Sequence, residues 1–206
     1  LLNARESGEG QVVDAAMVDG SALLMASHHG FAAEGWWDGT ARSSNLLDGA
    51  APFYTTYEAS DGGRVAVGAL EPQFFAELVG KLGLDPAELP AQLDREGWPT
   101  MREAFASRFS ERTRDEWSEH FEGSDACVAP VLSMSEAPDH RYNRARSTFT
   151  ELEGIVQPAP APRFSATPAS VEGTPCSPGE HTDRILADLG YSPERIVMLR
   201  GSGAIS

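Results

Sequence analysis

The hydrophobic pattern of the chain changes period sharply between residues 53 and 82. Two runs, FYTTYEA at 53–59 and RVAVGAL at 64–70, are rich in aromatic and β-branched residues, a composition that suits a pleated strand. Between them Ser60, Asp61, Gly62 and Gly63 supply hairpin turn chemistry, so the two runs predict locally paired strands. From Pro72 onward Phe74, Phe75, Leu78, Val79 and Leu82 recur at helical spacing, and the proline occupies a favoured first-turn position. The residue before a proline is driven to an extended backbone. Glu71 is therefore predicted to stand at a strand-to-helix corner with its direction set by the fold. A carboxylate so placed is either a solvated strand end or half of a site.

The pattern continues through a second helix over residues 94–109, with Met101, Phe105 and Phe109 on one stripe read as core. Thr113 caps a third helix with acids in its first turn, and Gly123 ends it. ACVAPVL at 126–132 supplies a third strand, in which Cys127 is expected to be a buried small hydrophobe. A three-stranded sheet with helices beside it makes a small α+β domain over residues 52–135.

The flanking segments have less rhythm. LLNARESGEGQ reads as the end of one helix and a turn at Gly8 to Gly10. Residues 12–31, VVDAAMVDGSALLMASHHGF, are apolar, small or uncharged almost all round, which predicts a buried helix stopping at Gly30. Asp14 near its start favours the helix dipole. Asp19 falls mid-helix, where a buried acid needs a partner or a polar cavity. His28 and His29 near the helix end point in different directions and are read as structural. Residues 35–49 suit an extended connector, and most of the prolines fall beyond residue 135, predicting an extended linker with little helix. Thr182 to Leu189 reads as a short helix stopped by Gly190, followed by a further turn or two. These have too little core to stand alone.

Composition narrows the chemistry. With 206 residues, 41% hydrophobic and 23% charged, the chain suits an ordinary globular protein of one domain or two small ones. A net charge of -15 repels phosphate backbones and anionic membranes, so neither nucleic acid nor membrane is an expected partner. Arg141, Arg144 and Arg146 form a local cationic cluster, read as a solvated loop. Cys127 and Cys176 lie outside any C-x-x-C pattern, which suggests neither a disulfide framework nor a metal site. With no apolar stretch of membrane length and no basic, apolar leader, a cytoplasmic location is expected.

Five ordered motifs, GQVVDAAMVDG, LLDGAAPFYTTYEASDG, AVGALEPQFF, SDACVAPVL and PGEHTDRILADLGYSPERI, resemble segments of the α-methylacyl-CoA racemase family, in the CaiB/BaiF group of family III CoA-transferases. The resemblance runs through nearly the whole chain but covers only the second half of the family's pattern. It implies an α/β and α+β fold: a doubly wound large domain, a small domain with a three-stranded sheet, long linkers and an interlocked dimer. Residues 1–34 then correspond to a helical end of the large domain, 35–51 to a linker and 52–135 to the small domain. Residues 136–175 correspond to an extended linker and 176–206 to helices returning to the large domain.

The implied reaction is a 1,1-proton transfer at the α-carbon of a 2-methylacyl-CoA thioester, which needs an acid and a base flanking one carbon and donors for the enolate oxygen. The resembled family takes its aspartate and histidine from NLLADFAGG-like and GHDINY-like segments, and neither occurs in this sequence. Its catalytic glutamate, in the EPQF motif, maps to Glu71, with the implied task of orienting and charge-balancing the histidine. Leu46, Leu47 and Tyr54 map to the acyl side of the pocket and Asp19 lies near it. Asp14 and Asp19 fall outside the family's catalytic aspartate motif. The resemblance implies no cofactor beyond the coenzyme A of the substrate. Its implied partners are an acyl-CoA and either an interlocked homodimer or a separate amino-terminal half. The chain alone is expected to be inactive. CoA transfer, or a non-catalytic truncated dimerisation chain, are the alternative readings. Where the family reads NMLDGGAP this chain has Leu46 for methionine and Ala50 for glycine, and a Cβ at residue 50 is strained if that position needs positive φ.

Overall fold

A computed structural model describes residues 1–171 and 173–205. The chain divides into two compact units, residues 1–131 and 132–206. In the first, α1 (Leu2–Ser7) ends on Gly8 at φ 77°, the expected turn. Residues 9–16 are irregular. Two short helices follow, α2 (Met17–Leu24) and α3 (Ala26–Ala33), separated at Met25.

The expectation of one buried helix over 12–31 is overturned. No residue of α2 or α3 is buried, and Met17, Val18, Leu23 and Leu24 are exposed. A helix that is apolar on every side cannot bury itself against one neighbouring layer, and within this unit no element covers it. Gly30 lies inside α3 rather than at its end. Asp14 precedes α2 in the irregular stretch, and Asp19, exposed, occupies the first turn. Its burial, the premise for a needed partner, is absent. His28 packs edge-on to Trp37, with ring centroids 4.7 Å apart, and Phe31 stacks on Trp36. The connector after α3 therefore folds back on that helix.

The sheet follows the predicted pattern. β1 (Tyr54–Glu58) and β2 (Arg64–Gly68) pair antiparallel, with Tyr57 opposite Val65 and Thr55 opposite Val67. α4 (Pro72–Lys81) begins on the proline. α5 (Trp98–Phe109) starts later than predicted, because residues 92–97 form turns that end at Gly97. α6 (Arg114–His120) opens with a full capping box, Thr113 and Glu116 each bonding the other's backbone. β3 (Val128–Val131) pairs antiparallel with β2, giving the order β1-β2-β3.

One sheet face is core. Tyr57, Val65 and Val67 point to the side covered by helices, where Phe53, Leu78, Met101, Phe105 and Phe109 are fully buried. Tyr57 stacks on Phe109 at 4.9 Å, and Trp117 meets Phe109 edge-on at 5.2 Å. Each such aromatic contributes roughly 1.5–3 kcal/mol by leaving water. The Tyr57 hydroxyl donates to the Pro52 carbonyl at 2.6 Å, and burial raises its pKa well above the ordinary phenol value, so the buried proton stays in place. Lys81 Nζ donates to the His120 carbonyl at 2.9 Å, and His120 Nε2 lies 2.8 Å from the Lys81 carbonyl. This pair ties the ends of α4 and α6.

The second unit corrects the expectation of an extended linker. α7 (Arg141–Ala145) precedes a two-stranded antiparallel hairpin, β4 (Phe149–Leu152) and β5 (Ile155–Pro158). Its two-residue loop has Glu153 at φ 51° and Gly154 at φ 80°, the paired positive angles that match the twist of a tight hairpin. Arg144 pairs with exposed Asp139 at 2.7 Å and Arg146 lies over the Tyr142 ring, the solvated arrangement expected of that cluster. α8 (Thr182–Asp188) and α9 (Pro193–Gly201) close the chain, with Gly190 at φ 87° between them. An ion pair from Arg200 to Asp183 at 2.6 Å joins them.

Candidate functional site

Glu71 occupies the corner that the proline implied. It is the residue before α4, extended at φ -75° and ψ 144°, and its side chain caps nothing. The backbone on either side is held. Gln92 Nε2 donates to the Leu70 carbonyl at 2.8 Å, and the Glu71 carbonyl accepts from the Phe75 N–H at 3.0 Å. Among the described residues the carboxylate itself accepts no hydrogen bond, and it is exposed. A fixed backbone with an uncommitted anionic side chain can serve a group brought to it.

A second fixed feature is the turn before β1. Asn45, only 1% exposed, accepts from the Asp38 N–H at 2.7 Å and donates to the Asp38 carbonyl at 3.0 Å and to Asp48 Oδ2 at 2.8 Å. Asp48 also accepts from the N–H groups of Asn45, Ser44 and Ala50. Burial by itself would raise the Asp48 pKa, but these hydrogen bonds outweigh it and hold the carboxyl below its ordinary value. Arg102 closes the turn from outside, with Nη2 at 2.7 Å from the Gly49 carbonyl and 2.6 Å from that of Ala50. The left-handed position is Gly49 at φ 95°, and Ala50 is not among the residues with positive φ. Alanine at 50 is therefore unstrained.

The unburied face of the sheet meets this turn. Because side chains alternate along a strand, Tyr54, Ala66, Gly68 and Ala129 share the face opposite the core, with Tyr54 across from Gly68 and Ala66 across from Ala129. The small residues make a shallow floor. With Leu47 and Cys127 they line a hollow of about 510 Å³. Cys127 is exposed at φ 53°, with its carbonyl accepting from the Gly68 N–H at 2.9 Å. This corrects the expectation of a buried cysteine: the residue sits just before β3, where the irregular backbone turns its side chain out of the core. Partial loss of solvent raises the Cys127 thiol pKa, and the negative charges of Glu71, Asp125 and Glu77 raise it further.

The residues singled out from the sequence divide accordingly. Leu47 and Tyr54 line the hollow together, and Glu71 lies outside its lining. Leu46 packs against the hydrophobic core instead. Asp19, on exposed α2, does not line the hollow. Sequence reasoning missed the floor residues Ala66, Gly68 and Ala129. The alternation of valines with small residues in RVAVG was the signal available for them. It also missed Arg102, whose role depends on a turn more than fifty positions earlier in the chain.

Comparison with known proteins gives the arrangement its relatives. The pattern of CoA-transferase family III matches residues 1–182. The chain is 46% identical over 202 residues to the mouse (Mus musculus) α-methylacyl-CoA racemase, covering 97% of this chain and 52% of that protein. It is 44% identical over 208 residues to the human (Homo sapiens) α-methylacyl-CoA racemase, covering 100% of this chain and 54% of that protein. The chain spans about half the length of these curated relatives. A CaiB/BaiF family protein from Brucella suis shares the fold with a TM-score of 0.68 at 19% identity, over 91% of this chain and 50% of that one. With the mixed α/β architecture, the ordered motifs and these matches in agreement, this chain is a member of CoA-transferase family III.

Proposed function

We propose that the chain supplies the glutamate-bearing part of an α-methylacyl-CoA racemase, an isomerase that inverts the α-carbon of 2-methylacyl-CoA thioesters through an enolate. The observation that carries this reading is the uncommitted Glu71 carboxylate, fixed at its strand-to-helix corner in a chain 46% identical to the mouse racemase. Racemisation needs a base on one face of the α-carbon and an acid on the other. The histidine and aspartate that meet this need belong to sequence outside this chain, and Glu71 orients and charge-balances the histidine. A carboxylate accepting from one imidazole nitrogen fixes which tautomer faces the substrate. The hollow floored by Ala66, Gly68 and Ala129, with Leu47 and Tyr54 at its side, receives the acyl chain. The working unit is an assembly with that other half, in a homodimer or with a separate chain, and the 206-residue chain alone is inactive.

The test is deuterium wash-in at the α-carbon of 2-methylacyl-CoA in heavy water, with chiral analysis of the product. The assembled protein exchanges and inverts, and this chain alone does neither. CoA transfer to a free acid without α-exchange would replace the racemase reading with the transferase one. In the assembled protein Glu71→Gln lowers kcat by roughly a hundredfold, the scale of a compromised proton-transfer group, with little change in KM. An unchanged rate would remove Glu71 from the mechanism.

A further inference from the structure

A second hollow lies on the other side of the Gly49 turn, and its chemistry differs from that of the first. It measures about 570 Å³ and is lined by Arg95, Arg102, Ser43, Thr55 and Trp98 among others, with no carboxylate in the lining. That is unexpected in a chain with 31 acidic residues and 16 basic ones. Among the described residues neither arginine has a carboxylate within ion-pair distance. The nearby acids are turned to other work: Asp48 accepts from the turn's own N–H groups, and Asp94 accepts from the Glu96 N–H at 3.2 Å.

Both guanidinium groups are held in place. Arg102 is anchored by one nitrogen, Nη2, on the Gly49 and Ala50 carbonyls, which leaves the other N–H donors of its planar fork without a protein acceptor among the described residues. Arg95 lies over the Trp98 ring with its central carbon 5.6 Å from the centroid, a cation–π contact that restricts the side chain. Among the described residues its protein acceptor is the Trp36 carbonyl, at a long 3.5 Å. No hydrogen bond of the Ser43 or Thr55 hydroxyl is found among the described residues. Arg102 is partly buried, and a cation so placed without a counter-charge is costly unless an anion completes it; with exposed Arg95 and two hydroxyl donors it suits an acceptor offering several oxygens at once.

We propose that this hollow binds a phosphate group, gripped by Arg95 and Arg102 and completed by the Ser43 and Thr55 hydroxyls. The site is separate from the first hollow, although Gly49 and Thr55 line both. Occupancy therefore bears directly on the turn that carries Leu47.

The test is calorimetric titration of the 206-residue chain at low ionic strength with inorganic phosphate, with adenosine 5′-monophosphate as an organic phosphate ester, and with succinate as a carboxylate. Saturable one-to-one binding of phosphate is expected, falling with added chloride as an exposed charge interaction must. Tighter binding of the nucleotide identifies an ester as the natural source, and tighter binding of the inorganic ion identifies free phosphate. Arg95→Gln weakens phosphate binding about tenfold, the loss of one charge-assisted contact, while the melting temperature stays unchanged because that side chain is exposed. Arg102→Lys weakens it at least as much, but it also loosens the turn, so Arg95→Gln decides. Arg64→Gln, at an arginine already paired with Glu58, is the control and leaves binding intact. Absence of saturable phosphate binding overturns the proposal. So does an equal affinity for succinate, binding unaffected by Arg95→Gln, or an equal loss in Arg64→Gln.

Discussion

Residues 12–33 and residues 51–131 are both rich in apolar side chains, yet the first holds no buried residue and the other holds nearly all of the core. The difference lies in arrangement. In the sheet and its helices the apolar positions alternate or recur at one face, so Tyr57, Val65 and Val67 meet Met101, Phe105 and Phe109 across a single boundary. Along α2 and α3 they surround the axis. A helix of that kind gains from burial only when several neighbours surround it, and the elements of this unit do not. Hydrophobic content alone therefore does not predict burial; periodicity does.

The largest expected effect tests this contrast at its core side. Phe105 is 0% exposed and packs against Tyr57 and Phe75. Phe105→Ala removes those contacts and leaves a cavity, costing about 3–5 kcal/mol in denaturant unfolding followed by circular dichroism. A loss below about 1 kcal/mol would mean that the helices do not form one core with the sheet.

How much could be read from the sequence follows the same division. The first hairpin, the α4 start at Pro72 and the threonine cap at Thr113 were legible because local turn chemistry and periodicity agreed with each other. The second hairpin was hidden by its surroundings. FTELEGIVQP holds aromatic and β-branched residues that suit strands and carries Glu-Gly at the loop, but the prolines that follow made the whole stretch read as linker. At the candidate site Glu71 was legible because Pro72 restricts the residue before it. Asn45, Asp48 and Arg102 were not, because hydrogen bonds from a folded turn to a distant helix leave no periodic trace. Cys127 was misread because an apolar run gives no notice of the single positive φ that turns its side chain outward.

The Asp48 knot gives an intermediate effect and shows whether the connector belongs with the core or with the exposed helices. Asp48→Ala strips acceptors from three backbone N–H groups and from the buried Asn45 amide, costing about 1–3 kcal/mol. Because the folded carboxyl has a pKa below the ordinary 3.8, its protonation is easier in the unfolded chain. The stabilisation is complete above that ordinary value and is lost as pH falls through the lower, folded one. Chemical denaturation between pH 5 and pH 2 should therefore show a steeper loss for the parent chain than for Asp48→Asn. Parallel curves would mean that the carboxylate is not engaged as described.

The smallest effect is expected at the exposed helices, and there a null result is informative. Leu24 is 83% exposed on α2 and Val18 is 74% exposed, so neither has contacts to lose. Leu24→Glu should change the unfolding free energy by no more than about 0.5 kcal/mol, because leucine and glutamate have similar helix propensity and no packing is disturbed. Val18→Glu, replacing a β-branched residue, should be neutral or slightly favourable for the same reason. The double substitution should also reduce self-association in sedimentation velocity, since it places charge on an apolar surface that water now meets. A loss of 2 kcal/mol or more from either single change would show that this segment is covered within the chain, and the contrast between the two regions would then have to be redrawn.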